Sequence, residues 1–445
     1  MKKFLTIALS LMLLISCMVL ASCDDEVVET GLEAKDIEEN AYAALTQVMG
    51  NATGEFMGTN TGVQSTLNSA LNKGSVSVSF ESDDLMGGAI TKVGSTTYID
   101  KAGNKLVENA TVVYNGEELG VNLFVDKNGI TASGKDVFGS DAAYLLNLAT
   151  FVENIETSVL GSMMGIPEDE AELSELKEQL NQIKSAYENA LNSYLGDTEK
   201  LYNELYEIYK LTVTEEQIDG KTMLVVTCTI DEVSFKAAVT KMMGEVEGIE
   251  EINPDELLEG IEIDAVSKIY IDKDAEKATK VTLDFEYTQK GEDAEVVEAA
   301  TIKMETVFGD KEISVKCDVT ENEETTKAEM KLTKAVDGTK TTYNAVVSVA
   351  EGSVSVEMLN ASYTYDSSNG DIVLSAVANM NEEETYSFEL NGKLTMTDKK
   401  VTLEFTSIKK DSVTVEFKAQ ISLEALEQIP TAPSDAKDIS TLTEE

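Results

Sequence analysis

Apolar and polar positions alternate with a period of two along most of this chain. Val281, Leu283, Phe285 and Tyr287 alternate with Thr282, Asp284, Glu286 and Thr288, and Tyr386, Phe388 and Leu390 alternate with Ser387 and Glu389. Val401, Leu403 and Phe405, then Val413, Val415 and Phe417, repeat the pattern. Successive side chains of a strand point to opposite faces, so each run predicts a strand with one apolar and one polar face. Turn signals at Gly291-Glu292, Gly309-Asp310, Asp337-Gly338, Asn369-Gly370 and Asn391-Gly392 predict an antiparallel meander over 261–419. An earlier set of runs, SVSVSF, GAITKV, TTYID, LVENATVVY, LGVNLFVD and GITASG, predicts an antiparallel sheet from Gly74 onward, with turns at Asn115-Gly116 and Asn128-Gly129.

Helical spacing interrupts the alternation in a few places. Ala34, Ile37, Ala41, Ala44, Leu45 and Val48 share one helical face, after which 50–62 reads as glycine, asparagine and threonine loop before a short segment reaching Leu71. Residues 141–210 read as helical. Pro167 and the acids Glu168, Asp169 and Glu170 suit a first turn, and Leu173, Leu176, Leu180, Ile183, Tyr187, Ala190 and Tyr194 follow at steps of three and four. That narrow seam predicts a helical hairpin or a lid on the sheet, with 197–210 as the partner through Leu201, Leu205 and Ile208. Strands at 211–216 and 221–230 and a helix at about 231–247 precede a boundary at Asn253-Pro254-Asp255.

These elements predict an α+β fold, mainly antiparallel β: large meander sheets, curved or half-barrel, with a helical hairpin and short helices packed on one face. The expected organisation is a signal peptide at 1–22, a lipidated acidic tether at 23–33, and an N-terminal helix plus sheet at 34–252 with a helical insert at 141–210. A C-terminal meander at 253–429 and a disordered tail at 430–445 complete it. Tyr98-Ile99-Asp100-Lys101 recurs as Tyr270-Ile271-Asp272-Lys273, each followed by a polar turn and an alternating strand. Four residues do not separate chance from a duplicated lobe.

Composition narrows the chemistry. The 445 residues carry 82 acids against 35 basic residues, a net charge of −47, with no histidine and no tryptophan; every basic residue is lysine. So acidic a chain repels nucleic acid, which is excluded as a partner. Without histidine there is no Ser-His-Asp or Cys-His pair and no ordinary zinc site. Without arginine there is no bidentate clamp for phosphate or carboxylate. Catalysis is disfavoured, and no catalytic residue, metal site or cofactor is expected.

The N-terminus opens with Met1-Lys2-Lys3 and an apolar run to Leu20, the form of an export signal. Leu20-Ala21-Ser22-Cys23 resembles the lipobox of bacterial lipoproteins, a resemblance confined to the first 23 residues. It implies diacylglyceryl modification of the Cys23 thiol and cleavage just before it. Leu14-Ile15-Ser16-Cys17 fits a relaxed version, but Met18-Val19-Leu20 follows Cys17, whereas Asp24-Asp25-Glu26 follows Cys23 and cannot stay in a bilayer. Cys23 is therefore the expected lipidation site. Two acyl chains anchor a chain stably, so the membrane is an expected partner. The expected location is extracytoplasmic, on the outer face of the cytoplasmic membrane.

Other candidates have plainer readings. Cys228 and Cys317 share faces with Leu224, Val226 and Ile230 and with Val315 and Val319, as buried small hydrophobes do; a disulfide between them stays open. Ser174-Glu175-Leu176-Lys177 and Ser407-Ile408-Lys409-Lys410 match S-x-x-K without its companion motifs. Asp126-Lys127-Asn128-Gly129 starts like a calcium loop but lacks the later ligands, and reads as a hairpin turn. Tyr202, Tyr206 and Tyr209, at helical spacing, read as packing residues before they read as a sugar platform, and Tyr363 and Tyr365 raise the same question on a strand.

A sheet with one apolar face must pack on a second layer, close, or enclose something. In architecture such a body resembles the half-barrel folds of lipoprotein carriers and related lipid-binding lipoproteins, which implies an apolar ligand in a curved sheet. The expected function is non-enzymatic lipid or apolar-ligand binding at the envelope. The alternative is a structural or adhesive surface protein without a cavity; ligand-binding residues and protein partners are not fixed by the sequence.

Overall fold

The computed structural model describes residues 32–442 apart from 58–65, 67–68, 83–87, 135–141, 165, 168, 196–197, 245–259, 291–294, 322–323, 352–353, 380–384 and 411–412. Its strands are β1 (Lys73–Glu81), β2 (Ile90–Asp100), β3 (Lys105–Tyr114), β4 (Glu117–Asp126), β5 (Gly129–Ser133), β6 (Ala143–Asn147), β7 (Thr212–Ile218), β8 (Lys221–Asp231), β9 (Ile261–Asp272) and β10 (Lys277–Lys290). They continue as β11 (Val296–Phe308), β12 (Glu312–Glu321), β13 (Glu324–Asp337), β14 (Lys340–Glu351), β15 (Val354–Asp366), β16 (Asp371–Asn379), β17 (Thr385–Met396), β18 (Lys400–Lys410), β19 (Val413–Ala425) and β20 (Lys437–Asp438). The helices are α1 (Ala34–Glu39), α2 (Ala41–Met57), α3 (Leu148–Asn154), α4 (Val159–Met164), α5 (Glu170–Leu195), α6 (Thr198–Ile208) and α7 (Glu232–Gly244).

All the strands belong to one sheet. Antiparallel ladders run unbroken from β7 through β19, β19 pairs with β1, and the order continues from β1 to β6. Only β20 is parallel, against β6. The fold is the β-rich α+β class that the alternation predicts. The two expected sheets, however, are one: β8 pairs with β9 across the 253 boundary, and Val76 of the first set lies opposite Leu423 of the last. No ladder among the described residues joins β7 to β6 or β20, so the sheet is open.

Register assigns one face throughout. Leu224, Ile271 and Ala278 align across β8–β10, as do Leu283, Met304 and Cys317 across β10–β12, and Tyr343, Tyr363 and Leu374 across β14–β16. Directly opposed residues share a face, so the apolar positions form one continuous surface. Helices α1, α2, α5 and α6 pack on that surface.

The helices also force the sheet to bend. Leu191 on α5 packs with Ile99, Leu106 and Val125 of β2–β4, while Tyr206 on α6 packs against the cluster of Leu224 and Val226 on β8. Laid flat, β3 and β8 would lie about 67 Å apart at a spacing of about 4.8 Å per strand. The chain from Leu191 to Tyr206 spans at most about 30 Å when helical either side of its short link. The sheet therefore curves around the helices, and its apolar face is the inner one.

The helical layer occupies one end of this curve, the end carrying the turns after β2, β4, β9, β15 and β17. There α1 and α2 bury Ile37, Leu45, Val48 and Met49 against Leu224, Val226, Ile271 and Val281. Phe56 at the far end of α2 meets Tyr343, which stacks on Tyr363 at 6.2 Å. The segment after it returns to β1, where a Cβ on Gly74 would sit 2.6 Å from the Ala70 Cα and 2.2 Å from the Glu424 carbonyl oxygen, so only glycine fits.

Several boundaries differ from the sequence expectation. The α2 helix continues to Met57 through the glycine-rich stretch because its buried face, ending in Phe56, outweighs two glycines in its interior. GAITKV and TTYID fuse into β2. The expected helical insert starts with a strand, β6, whose apolar face completes the inner surface. Asn391-Gly392 is no turn but a bulge inside β17. Among the described side chains the α5 seam packs elsewhere than on α6: Leu173, Leu176 and Leu180 pack on Phe151 and Ile155 of the α3 segment, and α6 packs on α2 through Tyr42 and Tyr202, stacked at 5.3 Å. The expected tail is ordered to Leu442: β20 pairs with β6, and Thr150 donates to Asp438 (2.8 Å) beside the fully buried Ser440.

The repeated tetrapeptides occupy matching places. Asp100 and Asp272 end β2 and β9, and each accepts a hydrogen bond three residues on, from Gly103 N at 3.0 Å and Ala275 N at 3.2 Å. Each turn ends in a left-handed residue, Asn104 (φ 48°) or Glu276 (φ 49°), and each aspartate pairs with the lysine opening the preceding strand, Lys73 at 3.5 Å or Lys221 at 2.6 Å. The repeat is thus one of turn geometry and ion pairing as well as of letters.

Candidate functional site

The expected lipidation site Cys23 and its lipobox Leu20, Ala21 and Ser22 lie outside the described residues. Among the described residues no helix is long and apolar enough to cross a membrane.

The main candidate inside the body is the part of the inner face that the helices leave bare. At the helical end, Ile271, Ile372 and Val401 are buried. On other strands of the same face, Val78 is 51% exposed, Val415 51%, Val93 40% and Phe388 38%, with Leu123, Met330, Val356 and Ile421 also exposed. Register puts these on the apolar face: Val78 opposes Ile421, and Val415 opposes Ile408. The bare region runs from β13 through β19 and β1 to β4, about 48 Å at about 4.8 Å per strand. Within it the exposed apolar side chains alternate with half-buried ones and with the buried Ala376, so one face gathers exposed apolar positions that soluble monomers ordinarily scatter singly.

Two polar features interrupt this apolar trough: Lys410, which opposes Phe388 and Val413 and lies over the Tyr386 ring, and a cluster around Glu108. Glu108 on β3 projects from the inner face, opposite Thr97 on β2 and Leu123 on β4. Thr97 Oγ1 donates to Glu108 Oε2 at 2.6 Å, and Ser95 Oγ donates to Oε1. Their neighbours on β1 are Val76 and Val78. One step toward the helices, Ile99, Leu106 and Val125 receive Leu191 of α5, so the carboxylate sits where the helical plug ends and the bare surface begins. No lysine pairs with it among the described residues. The sequence reading passed over all three residues: LVENATVVY carries apolar side chains in both phases, so only the phase shared with Leu106, Ala110 and Val112 marks Glu108 as inward.

The other sequence candidates take structural places. Cys228 and Cys317 are free thiols on β8 and β12. They lie four strands apart, about 19 Å in a sheet, which rules out the bridge left open above. Burial pushes Cys228 up to about 11 and raises Cys317 as well, the latter helped by the charge of Asp318. Tyr206 is partly buried in the α6–sheet contact, where desolvation raises its hydroxyl far above the usual range. Tyr187 does work as a clamp: its hydroxyl lies 2.7 and 2.9 Å from the carbonyl oxygens of Asp126 and Gly129, and burial with the Asp126 charge pushes it up to about 12. The Asp126–Gly129 segment is the β4–β5 turn, closed by Asn128 N donating to Asp126 Oδ1 at 2.8 Å. Lys177 of the first S-x-x-K pairs with Glu156, and Lys410 of the second lies over the Tyr386 ring, so neither lysine faces its serine.

The outer face is polar over β9–β12, while Met223 and Val225 on β8 and Val107 on β3 are buried on that side. An open depression on it, about 420 Å³, is lined by Lys268, Thr282, Asp284, Lys303, Lys316 and Asp318, and Lys280 pairs with Glu305 at 2.6 Å beside it. Alternating lysines and acids on a solvated sheet face neutralise one another. The chain matches no protein-family model and no curated protein.

Proposed function

We propose that the protein is a membrane-anchored, extracytoplasmic lipoprotein that holds an acyl-chain lipid against the bare inner face of its curved sheet and catalyses no reaction. The observation that carries this reading is the apolar trough, beside a helical layer that fills only one end of the curve. Such a surface is costly in water and is relieved by covering it. An inner face admits a slender apolar chain more readily than a flat protein surface. Anchoring through Cys23 would keep the trough within reach of the bilayer, with 24–33 as an acidic tether.

Native mass spectrometry of the body, expressed without residues 1–23 and purified without detergent, tests the reading. Discrete additional masses that extract into organic solvent as lipids are expected. A bare chain mass that stays unchanged after incubation with phospholipid vesicles would instead favour a structural or adhesive surface role. The anchor is tested separately, by mass spectrometry of the mature N-terminal peptide.

A further inference from the structure

We propose that the trough selects amphiphiles whose polar head is a primary ammonium, and that Glu108, held by Ser95 and Thr97, is the group that recognises it. This rests on the apolar-ligand reading above and adds the chemistry of the head.

A carboxylate placed on an apolar surface without a cation carries a desolvation cost that covering the surface would increase. Here the cost is partly met by two hydroxyl donors, one to each oxygen. These bonds fix the carboxylate plane and leave further acceptor positions on both oxygens. An ammonium head offers three donors and a full positive charge. It would meet those positions directly, while its alkyl chain lies along Val76, Val78 and Leu123, the residues opposing this cluster on β1 and β4. An anionic head would bring two like charges together, and a nonionic head would gain no ion pair. The cluster's place at the foot of the bare surface, directly above Leu191, suits the fixed end of a chain that extends toward the open end.

The chain's −47 charge attracts any cation, so the informative quantity is the change caused by one residue. The experiment measures binding of dodecylamine, dodecanoate and dodecyl maltoside, each below its micelle concentration, to the delipidated body by calorimetry, in the parent and in Glu108→Gln, with lysophosphatidylethanolamine as a fourth probe. The glutamine keeps the shape and can still accept from Thr97. The expected result is tightest binding of dodecylamine, and a loss of about tenfold for it in Glu108→Gln while dodecyl maltoside changes by less than twofold. Thr97→Val, which leaves the charge but removes one of the two donors holding the carboxylate, is expected to weaken dodecylamine to a lesser extent. Circular dichroism of each variant establishes that it is folded. A dodecylamine-to-maltoside ratio that Glu108→Gln leaves unchanged overturns the proposal while preserving the apolar-ligand reading. Binding of none of the four probes overturns both. Lysophosphatidylethanolamine binding with the same Glu108 dependence identifies a lipid headgroup as the source of the amine; its absence alongside dodecylamine binding points to a free alkylamine.

Discussion

The contrast between covered and bare halves of the same sheet face makes a quantitative prediction. Ile271 and Val78 both project from the inner face, but Ile271 is fully buried under α1 and α2, whereas Val78 is 51% exposed. Ile271→Ala removes methylenes from a packed site that cannot collapse fully, and should cost about 2–5 kcal/mol. Val78→Ala removes less, from a position already half in water. At about 0.8 kcal/mol per buried methylene, two half-buried carbons amount to about 0.8 kcal/mol, with no cavity left behind. Urea denaturation of the delipidated body, followed by circular dichroism, reads the difference. With an m-value of about 3 kcal/mol/M, Ile271→Ala should lower the midpoint by about 1 M, and Val78→Ala by less than about 0.3 M. Equal losses at the two sites would mean that Val78 is packed, and the trough, together with the ligand reading built on it, would be refuted.

Three further outcomes follow from individual contacts. The Asp272 carboxyl is held below its ordinary value, first by its hydrogen bond from Lys221. A depressed native value contributes stability that is present above the unfolded value of about 3.9 and lost as pH falls through the native one. Asp272→Asn should therefore lower stability at pH 7 and flatten the acid limb below about pH 4; an acid limb identical to the parent's would contradict this. Cys228 and Cys317 should react with a maleimide at pH 7.5 at least about tenfold more slowly in the folded protein than in urea, because burial keeps both thiols protonated; equal rates would contradict their burial. Asp438→Ala removes the acceptor of Thr150 Oγ1 and Ser440 N, and should cost about 1–2 kcal/mol. Hydrogen exchange should then accelerate at Ala143–Asn147 and in α3 but not in β9 or β10; uniform acceleration would show that the C-terminal segment is no local clasp.

How much of this was legible beforehand depends on the range of the interaction responsible. Runs such as Val281–Tyr287 and Val413–Phe417 announce strands because alternation is local, and β10 and β19 stand where those runs are. The Tyr98–Lys101 and Tyr270–Lys273 turns were visible as letters, while their shared left-handed residue and lysine partner needed the neighbouring strand. The union of two expected sheets was not visible, because it depends on β19 meeting β1 across the length of the chain. No turn signal encodes that contact. The reach of α2 failed for a related reason: Gly50 and Gly54 argue locally for a loop, and only the sheet beneath Phe56 overrides them.

The same reasoning explains why the trough and its carboxylate escaped a reading from sequence. Which parts of an apolar face are covered is decided by where α2 and α5 end, and those ends are set by contacts far away in the chain, Phe56 with Tyr343 and Leu191 with Ile99. Once Leu191 is placed, Glu108 becomes the first inward side chain of β3 beyond the plug. A residue that looked like one acid among 82 is then the carboxylate at the foot of an apolar surface. Its two hydroxyl partners come from a different strand, Ser95 and Thr97, in the same phase as Ile99. Threonine at 97 is ordinary for a strand by propensity, and its placement gains meaning only with Glu108 opposite. Three unremarkable residues on neighbouring strands thus acquire a chemical role from register, which alternation alone does not specify.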